Sequence, residues 1–310
     1  MRLDKILNIK YPFIQGGMAN ISKGKFASDV SNAGGLGLIG TGGMDEEDLK
    51  KEIAIAKENT DKLFGVNLLL LNPEIDRLVD LVISEDIKFI TTGAGNPGKF
   101  MKRFKERGII VFPIVSNTSL AIRMERLGAD GIIVEGEEAA GHIGELSTMV
   151  LLPEVATKVK IPVIAAGGIA SGRQIFAAEV LGASGIQFGT SMLFTEECPI
   201  HENYKNRLLQ AKSSNVTVIG TTNGYRTRVL KNKMARKYLN LEREEGNKLE
   251  LEKLTLGALK KAVFNGDMEE GSIMAGEVVG TLDKIYKIEE LFQKFYGDYE
   301  RIKKSYEKSE

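Results

Sequence analysis

Eight short apolar runs recur along the first two-thirds of this 310-residue chain, and their placement restricts the fold more than any other feature. They occupy 12–17, 35–41, 64–70, 87–93, 109–115, 130–136, 161–168 and 185–192, are rich in β-branched residues, and end at or beside Gly, Asn or Thr. Stretches of helical period lie between them, at 45–59, 73–85, 98–107, 119–127, 148–159 and 171–181. The first opens on Asp45, Glu46, Glu47 and Asp48, acids that suit the positive end of a helix dipole, and keeps Leu49, Ile53 and Ala56 on one face. Pro73 fits a first helical turn and Ser171 an N-cap, Gly108, Gly128 and Gly182 stand where C-terminal caps belong, and Pro153 interrupts its helical pattern. Strands that are apolar throughout and alternate with helices imply a parallel sheet covered on both faces. Eight such units in about 190 residues fit a closed (β/α)8 TIM barrel at the compact end of its size range. An open doubly wound sheet is the alternative, and the count of eight with short loops disfavours it.

Beyond residue 196 the texture changes. Positions 199–265 are highly charged; 201–211 and 254–264 read as helices, 215–230 as extended chain, and 285–310 as one or two amphipathic helices. The expected division is a barrel formed by 1–198 and about 280–310, with 199–279 as a small, mainly helical substrate or lid subdomain. Forty-two basic residues balance 42 acidic ones, so the whole chain has no net attraction to nucleic acid or an anionic membrane. A single cysteine, Cys198, excludes an internal disulfide, and two histidines argue against a multi-histidine metal centre, so no metal site is expected. The N-terminus has no apolar stretch with a cleavage site, and the longest apolar stretch, 64–71, falls well short of the ~20 residues of a membrane helix. A cytoplasmic protein is expected.

Chemistry in such barrels sits at the C-terminal strand ends. Gly167-Gly168 and Gly189-Thr190-Ser191 end the last two runs, where bare amides can converge on a dianion. A phosphate there suggests a phosphorylated cofactor. Flavin mononucleotide also needs backbone against its ring and amides for its pyrimidine edge, types present in Gln15, Gly17, Met18, Ala19 and Asn67. No strand end carries the lysine that pyridoxal phosphate requires. His142, between Gly141 and Gly144 in the loop after the sixth run, is the candidate acid–base group. His201 and Cys198 read as structural. Gly35, Gly37 and Gly40 match a dinucleotide fingerprint but form a strand instead of linking strand to helix, and His201-Glu202 lacks the second zinc ligand because position 205 is Lys205.

These residues carry a family resemblance along nearly the whole chain. The stretches are Tyr-Pro-Phe-Ile-Gln-Gly-Gly-Met-Ala at 11–19, Ala-Gly-Gly-Leu-Gly at 33–37, Phe-Gly-Val-Asn at 64–67, Thr-Thr-Gly-Ala-Gly-Asn-Pro at 91–97, 135–144, 161–169, 187–190, and Gly-Ser-Ile-Met-Ala-Gly at 271–276. The chain resembles the flavin-dependent enoyl-acyl-carrier-protein reductase II family, within the nitronate monooxygenase-like barrels. The resemblance implies FMN as cofactor, NADH or NADPH as co-substrate, and a monovalent cation as an optional further ligand. It implies reduction of a trans-2-enoyl thioester on acyl carrier protein, the last step of bacterial fatty-acid elongation, by a homodimer. It makes His142 catalytic and places cofactor contacts on Gly17, Met18, Ala19, Asn67, Gly141, Ala165, Gly167, Gly168, Gln187, Gly189 and Thr190. Substrate contacts fall on Thr92, Asn96, Ser272, Met274 and Ala275.

The chain departs from the family pattern at Ala140, where a second glycine is common, at Ser191-Met192, where Arg-Phe is usual, and at Glu277, where Gln is common. Arg226, Arg228, Lys231, Lys233, Arg236 and Lys237 form an acid-free basic run that could steer an acidic carrier or be a solvated face. A nitronate monooxygenase, using the same flavin and histidine with oxygen, is the rival enzyme; a non-catalytic flavin- or carrier-binding module is the alternative of another class.

Overall fold

The computed structural model describes residues 1–244 and 248–308. The strands are β1 (Phe13–Gln15), β2 (Gly37–Gly40), β3 (Phe64–Leu69), β4 (Phe89–Gly93), β5 (Ile110–Val115), β6 (Ile132–Glu135), β7 (Gly141–His142), β8 (Val163–Ala166), β9 (Gly185–Phe188), β10 (Val216–Ile219) and β11 (Thr227–Leu230). Eight of them form one parallel sheet in the order β1-β9-β8-β6-β5-β4-β3-β2. A parallel bridge between Ile14 and Leu36 joins its edges, with Gln15 N donating to Leu36 O and Leu36 N to Phe13 O, both at 2.9 Å. The sheet is therefore the expected (β/α)8 barrel.

The strands alternate between two cores. Ile14, Leu36, Leu38, Phe89, Phe112, Ile133, Ile164 and Ala166 fill the barrel, and Leu3 and Leu7 of the N-terminal helix plug its floor. Their neighbours Ile90, Val111, Val134, Ala165 and Ile186 face the surrounding helices. Gly185 is glycine because a Cβ there would lie 2.5 Å from Leu3 Cδ2.

The expected helices form at Glu46–Asn59, Ile75–Ser84, Gly98–Glu106, Thr118–Arg126, Thr148–Ala156 and Gly172–Val180. Asp45 and Ser171 accept hydrogen bonds at their N-termini, and Gly108, Gly128 and Gly182 adopt the left-handed cap conformation. Gly24–Asn32 is a further helix, with Phe26, Ala27 and Val30 buried at helical spacing. Its sequence is a poor helix former, but a Cβ at Gly24 would meet Glu52 O at 2.0 Å, so glycine permits close packing on the next helix.

The later chain differs more from expectation. The extended stretch is a hairpin of β10 and β11, and β11 also pairs antiparallel with β7. Left-handed Gly257 splits the expected 254–264 helix into Lys248–Thr255 and Ala258–Asn265, and Lys233–Arg243 is a further helix. Ile219, Val229, Met234, Ala235, Tyr238 and Leu251 form a local apolar cluster. Tyr204, Leu208, Val263, Ile273 and Ala275 instead join the barrel's outer core. The terminal helix Ile288–Glu307 packs on Gly172–Val180, with Glu179 bonded to Tyr299 and Lys303; positions 309–310 of the expected helix lie outside the described residues. No described helix is long and apolar enough to cross a membrane.

Candidate active site

A cavity of about 440 Å³ opens at the C-terminal mouth of the barrel. Its wall has two differently built sides. The first comes from the ends of β8 and β9. Gly167 and Gly168 both have positive φ, +89° and +74°, a consecutive left-handed turn that glycine tolerates and that bares two amides. Gly189 and Thr190 begin a short 3₁₀ helix, so their first amides have no partner within it. Nothing in the protein demands glycine at 189: φ is −103°, and a Cβ would meet no atom within 4 Å. The position is bare toward open space, as close approach of a ligand to the main chain requires.

The loop after β1 continues this side. A Cβ on Gly17 would lie 2.2 Å from Asn67 Cβ, so loop and strand end touch directly. Asn67 Oδ1 accepts from Thr91 Oγ1 at 2.8 Å, leaving its amide nitrogen toward Gly17 O. Gln15 is consumed by the barrel: its Nε2 donates to Ser22 Oγ at 2.6 Å and its Oε1 accepts from Leu38 N at 3.0 Å. The amide left free is that of Gln187, whose buried Oε1 has no hydrogen-bond partner. A buried orphan acceptor is costly unless a ligand or water serves it.

The second side carries His142. β7 is only two residues long, and β11 holds it, with Thr227 opposite His142 and Arg228 opposite Gly141. The imidazole faces the cavity, and crowding by protein atoms lowers its pKa below the ordinary histidine value. The residue is solvent-exposed at the mouth, and the direction of the shift favours the neutral imidazole, which has one donor and one acceptor nitrogen. Met274, Leu259 and Val278 supply an apolar flank. Between the sides stands Glu135, at the end of β6. Desolvation alone pushes its carboxyl up to about 7. Glu138, close by, is spent on capping the next helix through Thr148 N and Oγ1, both at 2.9 Å.

Of the residues expected from sequence, Gly17, Met18, Ala19, Asn67, Gly141, His142, Gly167, Gly168, Gln187, Gly189, Thr190 and Met274 line this one cavity. Ala165 does not: the pleat turns it to the helices and Ala166 lines the cavity instead. Thr92 is buried and does not line the cavity, and its neighbour Thr91 bonds Asn67 from beneath the wall. Asn96 is exposed and accepts from Gly98 N at 3.0 Å, while Ser272 and Ala275 are buried beneath the Met274 segment. Glu135, Leu259 and Val278 were not singled out from sequence. Glu135 shares the inward face with Ile133, a phase visible only once the strand is placed; Leu259 and Val278 reach the site only through the tertiary fold.

A nitronate monooxygenase family profile matches residues 1–298. The chain belongs to the nitronate monooxygenase family. Among curated relatives, a probable nitronate monooxygenase of Staphylococcus saprophyticus is 30% identical over 89% of this chain and 91% of its own. A (3aS,4S,5R,7aS)-5-hydroxy-7a-methyl-1-oxo-octahydro-1H-indene-4-carboxyl-CoA dehydrogenase of Mycobacterium tuberculosis is 29% identical over 96% and 95%. Among solved structures, FabK from Thermotoga maritima superposes with a TM-score of 0.97 at 40% identity, covering 100% of this chain and 99% of that one. This nitronate monooxygenase family member is thus an oxidoreductase of the flavoprotein class. The site fits a flavin nucleotide on its own evidence: the orphaned Gln187 Oε1, the bare Gly189 and a cavity within the ~300–1,000 Å³ of cofactor sites.

Proposed function

We propose that this chain is an FMN-dependent enoyl-thioester reductase that takes its substrate from acyl carrier protein. The observation that carries the reading is the end-to-end likeness to FabK at 40% identity, above the 28–32% of the curated relatives with other names. The site's chemistry agrees with it. The net reaction is enoyl thioester plus NADH (or NADPH) and a proton giving acyl thioester and the oxidised nucleotide. When bound, FMN supplies the hydride relay to the β-carbon. The amides at Gly167, Gly168, Gly189 and Thr190 would hold its phosphate, and Gln187 and Asn67 its polar ring edge. As hydride adds, negative charge builds on the thioester oxygen. His142, on the cavity wall, would donate a hydrogen bond to that oxygen, and the α-carbon takes up the proton of the net reaction. Met274, Leu259 and Val278 give the acyl chain an apolar wall. The 199–279 segment then acts as the lid that brings this wall to the barrel.

The purified protein should be yellow and should bleach under NADH without oxygen. Addition of a crotonyl thioester should restore the colour within the mixing time. The second reading, oxidation of alkyl nitronates, is favoured by the family profile and the staphylococcal relative. Oxygen-dependent loss of a nitronate with no NADH, together with an inert crotonyl thioester, would establish it instead.

The basic run read from sequence is not one free docking face for the carrier. Arg228 is buried, Arg226 lies 3.8 Å from Glu137 and 3.6 Å from Glu145, and Lys233 pairs with Glu270 at 2.7 Å.

A further inference from the structure

We propose that Arg228 is a positioning residue that locks the His142 strand and the Met274 segment into one wall of the site. Arg228 is 6% exposed, and its backbone is the ladder partner of Gly141. Its guanidinium reaches two other places. Nε and Nη2 donate to Glu137 O at 3.2 and 2.8 Å, and Nη1 meets Glu277 Oε1 at 2.9 Å. Glu137 begins the loop that ends at His142, so one residue grips both ends of that loop.

Glu277 belongs to the segment that carries Met274. That segment is already seated on the mouth: Glu277 N donates to Glu138 O at 3.0 Å and Gly276 N to Thr190 Oγ1 at 2.8 Å. Met274 Sδ would stand 3.5 Å from a Cβ on Gly141, so the two parts that Arg228 ties are in touch beside the imidazole. A planar fork with five donors can serve a carbonyl and a carboxylate in different directions at once; an ammonium on a flexible stem cannot hold both in fixed geometry. Glu277 is 44% exposed against 8% for the Arg228 side chain, so the arginine is the committed partner and the glutamate its adjustable anchor.

The proposal rests on His142 as the reacting group, so its test reads the imidazole directly. With only two histidines in the chain, labelled-histidine NMR gives two resonance pairs, and His142→Ala assigns them. The full-length protein is compared with Arg228→Lys, which keeps the charge, and Arg228→Met, which does not. Thermal unfolding is followed alongside. In both variants the His142 titration should rise toward the ordinary histidine value, as more water reaches the imidazole from a loosened loop. Thioester kcat should fall about tenfold or more with flavin affinity unchanged.

An Arg228→Lys protein that keeps the parent titration would mean that charge alone suffices and would overturn the fork's role. Unchanged titration and kcat in both variants, with only a lower Tm, would make Arg228 a structural tie and nothing more. If Arg228→Met does not fold, Glu277→Gln should show a smaller shift in the same direction, and no shift there or in Arg228→Lys overturns the proposal. If the parent protein reduces no thioester, the reductase reading fails while the titration still decides the positioning.

Discussion

The two sides of the cavity are made in opposite ways. The Gly167–Thr190 side is the direct continuation of two neighbouring parallel strands, and its geometry follows from the barrel itself. The His142 side is a two-residue strand that would have no partner without a hairpin more than 70 residues further along. The barrel supplies a rigid anion and ring cradle; the later chain decides where the acid–base group and the apolar flank stand. Cofactor binding and turnover should therefore come apart on mutation.

The largest separation is expected from two substitutions, one on each side. Gly189→Leu starts from a Cβ with no protein atom within 4 Å and extends toward the cavity, so flavin affinity should fall by about 100-fold or more with Tm little changed. His142→Ala should do the reverse, keeping the yellow colour while turnover drops roughly 10²–10⁴-fold. Titrating FMN into the apoprotein and measuring thioester-dependent NADH oxidation reads both. A Gly189→Leu protein that still binds FMN tightly would remove the cradle from that side.

Gly17→Ala sharpens the same contrast at smaller size. A Cβ at 2.2 Å from Asn67 Cβ cannot be accommodated without moving the loop or the strand end. A loss of about 1–3 kcal/mol in denaturant unfolding is expected, with weakened flavin binding as a consequence. Equal stability in parent and variant would show that the loop yields freely.

The two sides also differ in how far sequence reveals them. Gly167-Gly168 and Gly189-Thr190 after the last two barrel strands were legible because apolar runs mark the strands and the fold places phosphate at their ends. Ala165 falls one residue away from the cavity wall for the same reason that the strands are easy to find. A strand buried on both faces is apolar throughout and carries no phase to say which side chains point inward. β7 was not legible at all. Two residues have no periodicity, and its partner lies in charged sequence whose Arg228 looks like a surface cation until its contacts are seen.

Glu135, between the two sides, gives the smallest effect and the one with a pH signature. Its folded pKa of about 7 stands above the ordinary 4.5 because burial penalises the carboxylate. A raised acid pKa means that the folded state holds the proton more tightly than the unfolded one. Its stabilising contribution is complete below about 4.5 and is lost as pH rises through about 7. Glu135→Gln, which stays neutral, should therefore unfold like the parent at pH 4 but gain about 1–2 kcal/mol over it at pH 8, the size held down by water in the cavity. Paired unfolding curves of the apoprotein at the two pH values measure this. A constant difference across the range would mean that the carboxylate is as well solvated in the fold as outside it, and that the mouth of the barrel is wetter than its apolar walls imply.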